Sequence, residues 1–213
     1  GIVGGAVAQA FAWSENTAFP FSICAWIKPI NLGENSSARI VSCEDAGGGG
    51  TGFWIFAIRA PSTLYFSIDY SNPGDRIAIA TAGTIVTGGN TWQHVTATWS
   101  GGVGTNSANQ KLYWNANEVT YASRTTSGGA FNSMTDTSIS IGNARGQAGT
   151  FNGDMAHIHI FRRELTQGEI RQIMGHPASF ASMGSISFVG TTGLLAYWPL
   201  SGFTGTNLQD LSG

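Results

Sequence analysis

Short strand signals recur along almost the whole chain, and this restricts the fold more than any other feature of the sequence. FSICAWIKP (21–29) mixes β-branched and aromatic residues and ends at Pro29; a run of this kind reads as a strand. ARIVSC (38–43) follows, and a glycine run, Gly47 to Gly50, marks a loop. GFWIFAIRA and LYFSIDY flank Pro61-Ser62-Thr63 and read as a hairpin. RIAIATA, WQHVTATWS (92–100), KLYWNANEV (111–119), TSISIG and DMAHIHIFRR continue the series, and LLAYWPL (194–200) closes it. Many short strands joined by polar turns predict an all-β fold, an antiparallel two-sheet sandwich. The composition agrees: 30 Gly, and only 10% charged residues where about a quarter is usual. Hydrophobic residues make up 42%, too many for a disordered chain. Sandwiches of this length are routinely one domain, so the expectation is a single domain over 1–213.

One short helix is predicted, over 166–174. Thr166-Gln167-Gly168-Glu169 has the spacing of a capping box, in which the threonine hydroxyl and the glutamate carboxylate each satisfy an amide at the helix start. Leu165 and Ile170 then fall where a hydrophobic staple would sit, and Ile170, Ile173 and Met174 share one face. Gly175 can end the helix in the left-handed conformation, and Pro177 prevents its continuation.

Charge narrows the function. The formal net charge is -2 and the pI about 6.1. Lysine and arginine do not cluster beyond Arg162-Arg163, so no nucleic-acid partner is expected. No apolar run approaches a bilayer span. No signal-peptide pattern is visible and Gly1 stands where Met would, so the expectation is a processed or trimmed N-terminus. The two cysteines lie on two predicted strands. An antiparallel pair in which Ile27 faces Ile40 would set Cys24 opposite Cys43, a disulfide candidate. The other reading is two buried thiols acting as small hydrophobes.

Several segments, taken in order, resemble the laminin-G-like, concanavalin A-like lectin/glucanase jelly-roll family. FSICAWIKP is similar to its early aromatic-x-Ile-x-Ala-Trp strand, and TWQHVTATWSGG to its Trp-x-His-Val strand. KLYWNANEV resembles its Leu-Tyr-x-Asn-Gly hairpin, with Asn117 where a turn Gly or Asp is usual; FNGDMAHIHIFRRELTQGEIRQIM resembles its closing strand and helix. The resemblance covers roughly residues 20–175. It implies two antiparallel sheets, one of them concave. It also places Trp26, Trp92 and Trp99 in the core. GLLAYWPLSG resembles the strand that opens such domains, yet here it stands at the C-terminus. It is a permuted strand that closes its own sheet, the start of a second copy, or a strand exchanged with a neighbouring subunit. The first is favoured, because the connector before it is long enough to cross the domain.

The wider superfamily includes glycosidases, and a retaining one needs two carboxylates about 5 Å apart. No Glu-x-Asp-x-x-Glu pattern occurs, and Glu44-Asp45, being adjacent, would point to opposite faces of a strand. No Gly-x-Ser-x-Gly elbow occurs. The chain therefore reads as a non-enzyme. His157 and His159 alternate on one strand and would share a face. They are two metal ligands or, more simply, part of a polar outer face with Ile158 and Ile160 pointing inward. Related sandwiches often carry Ca²⁺ at the rim; Asp45, Asp136 and Asp154 are the candidate ligands. For a sugar, stacking rings and amides are needed, and Trp54, Tyr70, Trp114, Asn115, Asn117 and Tyr121 are the candidates.

Two functions follow. The first is a structural or surface-display module of a virion (a phage decoration or tail protein) or of a cell-surface assembly, with other protein subunits, among them copies of itself, as partners. The second is a carbohydrate-binding adhesion module with a glycan partner. Either would be extracellular or on a virion surface.

Overall fold

Period-two alternation of apolar and polar residues dictates strands with one face toward a core, and the computed structural model has that form. It describes residues 2–4, 19–45, 52–68, 76–101, 109–125, 137–144, 149–175 and 192–200, with backbone only at 2–4, 44–45, 52–53, 76 and 137–138. The strands are β1 (Ile2–Gly4), β2 (Phe21–Pro29), β3 (Ser37–Asp45), β4 (Gly52–Arg59), β5 (Thr63–Ile68), β6 (Arg76–Ala80) and β7 (Gln93–Trp99). They continue with β8 (Gln110–Trp114), β9 (Asn117–Glu118), β10 (Tyr121–Arg124), β11 (Thr137–Ile141), β12 (Gly153–Phe161) and β13 (Leu194–Trp198). One helix, α1 (Gln167–Gly175), follows β12.

Among the described residues these form two antiparallel sheets. The first has the order β1-β11-β3-β4-β5-β6-β10 and the second β13-β12-β2-β7-β8-β9. Their inner faces supply the core: Phe21, Ile23, Ala25 and Ile27 of β2, Val95, Ala97 and Trp99 of β7, and Ile158 and Ile160 of β12 meet Trp54, Phe56, Ile58, Leu64, Phe66 and Ile68. Phe21 lies at the centre, with ring centroids 5.5 Å from Trp54, 5.8 Å from Phe66 and 5.7 Å from Trp99. The contacts with Phe66 and Trp99 are edge-on and that with Trp54 tilted, and such pairs add to what burial alone contributes.

The hairpin expected at Pro61 is β4–β5, with Arg59 opposite Thr63, a cis Ala60–Pro61 bond and Ser62 at φ 60. The capping box is present. Thr166 Oγ1 accepts from the Glu169 amide at 3.3 Å, and Glu169 Oε2 accepts from the Thr166 amide at 2.7 Å. Leu165, Ile170 and Ile173 are buried together with Cys24, Tyr113 and Phe161, so α1 covers part of the outer face of the second sheet. β13 pairs with β12 of the same chain, Tyr197 opposite His159 and Trp198 opposite Ile158.

Three expectations are corrected. β2 and β3 do not pair: β2 lies between β12 and β7, and β3 between β11 and β4, in different sheets. Cys43 faces the central core while Cys24 packs under α1, and both are thiols. They cannot form the proposed bridge, because the connection from β2 to β3 passes from one sheet to the other. Trp54 is fully buried and is a core residue, since its position in β4 points inward with Phe56 and Ile58. Trp92 is not a core residue; it precedes β7 and is 42% exposed, with the Lys28 ammonium 5.3 Å from its ring.

Candidate functional site

The sequence Trp114-Asn115-Ala116-Asn117 turns the chain from β8 to β9. Asn115 and Ala116 have φ 46 and 59, the left-handed pair of a two-residue hairpin turn. Ala116, rather than Asn117, therefore holds the place where the family hairpin has glycine. Asn115 is spent on this geometry: its Oδ1 accepts from the His94 amide at 2.9 Å, and its own amide donates to the His94 carbonyl at 2.8 Å. The Ala116 carbonyl accepts from Gln167 Nε2 at 2.9 Å, which ties the turn to α1.

β9 and β10 are edge strands of opposite sheets, so residues 119–120 cross from one sheet to the other. The crossing leaves a cleft of about 280 Å³ lined by Thr81, Gly83, Thr84, Trp114, Asn117, Glu118, Val119 and Thr120. Trp114 is half-buried. Its indole N–H donates to Gln93 Oε1 at 3.0 Å, and the buried Gln93 is fixed in turn by the backbone of Val86 at 2.9 and 2.7 Å. The ring is thus held in one orientation before any ligand arrives. On the rim, Glu118 Oε1 accepts from Tyr121 Oη at 3.0 Å and from Arg124 Nη2 at 2.8 Å, and the Arg124 guanidinium lies 3.4 Å from the Tyr121 ring centre.

Of the residues expected to bind a ligand, Trp114 and Asn117 line this cleft. Tyr121 stands behind it: its oxygen accepts from the Leu112 amide at 2.9 Å while its hydroxyl donates to Glu118. Burial pushes the Tyr121 phenol up to about 12, so it serves as a neutral hydrogen-bonding post, not a nucleophile. Asn115 holds the turn, Trp54 is in the core, and Tyr70 lies outside the described residues. Thr81, Gly83, Thr84 and Thr120 carried no sequence signal of their own; they reach the cleft only because β6 and β10 are neighbours in the first sheet.

Asp154, a calcium candidate, instead pairs with Lys28 at 2.7 Å. The side chain of Asp45 and all of Asp136 lie outside the described residues. Among the described residues no cluster of three His, Cys, Asp or Glu could hold a metal. The other carboxylates described are also engaged: Glu164 with Lys111 at 2.9 Å, Glu169 with Arg163 at 2.7 Å, and Glu34 with the amides of Gly149 and Thr150.

The histidines depart from the expected polar outer face. Ile158 and Ile160 do point into the core, but His94 and His159 are buried. β12 bulges between Ala156 and His159, with His157 at φ 50, and His157 Nδ1 lies 2.8 Å from Tyr197 Oη. His159 stacks on Tyr197 at 4.4 Å, and His94 meets Trp26 edge-on at 5.4 Å. Burial depresses both His94 and His159 to about 3, with the nearby His94 contributing to the shift of His159. Both are neutral at ordinary pH and serve as packing.

Comparison with known proteins gives a consistent fold. A SAP-like pentraxin from Limulus polyphemus is 18% identical, with a TM-score of 0.50 over 75% of this chain and 71% of its own. A candidate carbohydrate binding protein from Bacteroides ovatus is 18% identical, with a TM-score of 0.58 over 92% of this chain and 51% of its own. The CBM40 of the Ruminococcus gnavus IT-sialidase, solved with α2,3-sialyllactose, is 13% identical, with a TM-score of 0.50 over 75% of this chain and 84% of its own. No curated protein matches the sequence. A family model, described as the concanavalin A-like lectin/glucanases superfamily, matches residues 5–171. The two antiparallel sheets, the closing helix and this match agree: the chain belongs to the laminin-G-type family of the concanavalin A-like lectin/glucanases superfamily.

Proposed function

We propose that this chain is a non-enzymatic carbohydrate-binding module and that the cleft beside Trp114 is its glycan site. One observation carries the reading: a half-buried indole, fixed by Gln93, stands beside the exposed Asn117, Glu118 and Thr120 in an open cleft. A sugar ring needs an apolar face to stack on and polar groups at its edge. Relatives of the same fold whose names refer to carbohydrate binding support the reading. It places carbohydrate binding ahead of the display role that the sequence put first, because a ring held at an open cleft beside exposed amide and hydroxyl groups suits a sugar. A glycan partner also fits an extracellular setting.

Truncating a tryptophan at the centre of a contact typically costs about 2 kcal/mol or more, about 30-fold in affinity. Titration calorimetry with a glycan found by array screening should show that loss for Trp114→Ala, with an unchanged far-UV spectrum. Asn117→Ala, at an exposed position, should weaken binding without touching the fold. Full affinity in both variants would remove the cleft from consideration.

A further inference from the structure

Gln93 is polar where the strand pattern calls for an apolar residue. It opens β7, two residues before Val95, and so shares the inward face of Val95, Ala97 and Trp99. It is only 1% exposed, and a buried amide is costly unless it is hydrogen-bonded. Val95 stands opposite Trp114 of β8, which makes Gln93 a diagonal neighbour of the indole, within reach of a long side chain. Oε1 accepts from the Trp114 indole N–H at 3.0 Å and from the Val86 amide at 2.9 Å, and Nε2 donates to the Val86 carbonyl at 2.7 Å. The reversed amide would set Nε2 against two N–H donors, so one orientation alone fits.

Val86 belongs to the loop 81–92 between β6 and β7, and this loop supplies Thr81, Gly83 and Thr84 to the cleft. The loop is pinned on both sides of Val86. Before it, the Gly83 and Ile85 amides donate to the carbonyls of Pro61 and Ser62 at 3.1 and 3.0 Å, and Ile85 is buried in the core. After it, the Gly88 and Gly89 amides donate to the Pro29 carbonyl at 3.1 and 2.8 Å. Gln93 thus fastens Trp114 to a fixed segment, and it does so without lining the cleft. Deprived of that bond, the indole would keep its packing against the core and lose the contact that sets its rotation.

Resting on the carbohydrate-binding reading, we infer that Gln93 is a positioning residue of the glycan site: it sets affinity from outside the cleft by locking the Trp114 indole to the loop that supplies Thr81, Gly83 and Thr84. The cost of ordering the ring is then met in folding and not at binding.

The test uses the full chain in two measurements. The first needs no glycan: hydrogen exchange read by two-dimensional NMR should find the Trp114 indole N–H about tenfold or more slower to exchange than that of the exposed Trp92. Equal rates would show that the bond to Gln93 is not held and would overturn the inference. The second is calorimetry with the strongest binder found on a glycan array. Gln93→Met, of similar length but with no acceptor for the indole, should weaken that glycan about twofold to tenfold, with the loss in the entropy of binding. Trp114→Phe keeps a ring and removes the same bond, so Gln93→Met should cost little more when added to it. A residue that merely supports the fold would add its full loss in the double variant, and that result would overturn the inference. Should Gln93→Met not fold, Gln93→Asn, which keeps the amide and loses the reach, takes its place. Full affinity in a folded Gln93 variant, with binding still lost in Trp114→Ala, would overturn the inference and leave the carbohydrate-binding reading standing. An unmodified chain that binds nothing on the array would overturn that reading, and this inference with it.

Discussion

Thr166 shows how much one side chain can decide. It caps the Glu169 amide, and Glu169 answers by accepting from the Thr166 amide and hydroxyl. Burial alone would raise the Glu169 carboxyl; the bonds from Thr166 and Arg163 outweigh it and hold the group below its ordinary value. A carboxyl lowered in the folded state stabilises that state above its unfolded pKa, and the contribution is lost as pH falls through the folded value. Thr166→Ala should therefore cost about 1 kcal/mol in urea unfolding at pH 7, and less in acid, where Glu169 is protonated. Equal loss at both pH values would separate the cap from its carboxylate partner. This motif was readable in the sequence because all its atoms come from four consecutive residues. Trp54 and Trp92 were not, since a tryptophan's type does not say which way its strand faces. Their positions in β4 and before β7 reverse both expectations, Trp54 as a ligand platform and Trp92, by the family resemblance, as core.

At the level of elements, strands and the helix were legible, and pairing was legible only where partners are neighbours in the chain. β4–β5 follows from the hairpin at Pro61. β2 and β3, which look like a hairpin, part to different sheets, because sandwich connections cross between sheets and local pattern carries no signal for that. The bulge in β12 is likewise a property of pairing with β2. Its consequence is the burial of His159 near His94 on the sheet's outer side. In the unfolded chain such imidazoles titrate near 6.5, whereas the folded His94 is depressed to about 3 by burial. The unfolded chain then binds protons that the folded one refuses. The stability tied to His94 is complete above about pH 6.5 and falls away as pH drops toward 3. His94→Phe should flatten the acid side of a plot of unfolding free energy against pH in that window. An unchanged slope would show that His94 does not titrate with unfolding.

The whole molecule makes its cleft by topology. The edges β9 of one sheet and β10 of the other are joined directly, and the loop after β6 folds over the join, with the Thr81 amide donating to the Thr120 carbonyl at 2.9 Å. Trp114 and Asn117 were visible in the sequence as an aromatic beside amides, but Thr81, Gly83 and Thr84 come from a loop far earlier in the chain. Only sheet order brings them together. The exposed Trp92, Ile30 and Val86 do not line the cleft, and Trp92 is the natural rival for a ligand. Two-dimensional ¹H–¹⁵N NMR of the full chain, titrated with an array-selected glycan, separates the two. The account predicts that the Trp114 indole N–H, the Asn117 side-chain amide and the Gly83 and Thr84 backbone amides shift together while the Trp92 indole stays still. Shifts centred on Trp92, with Trp114 unmoved, would contradict it.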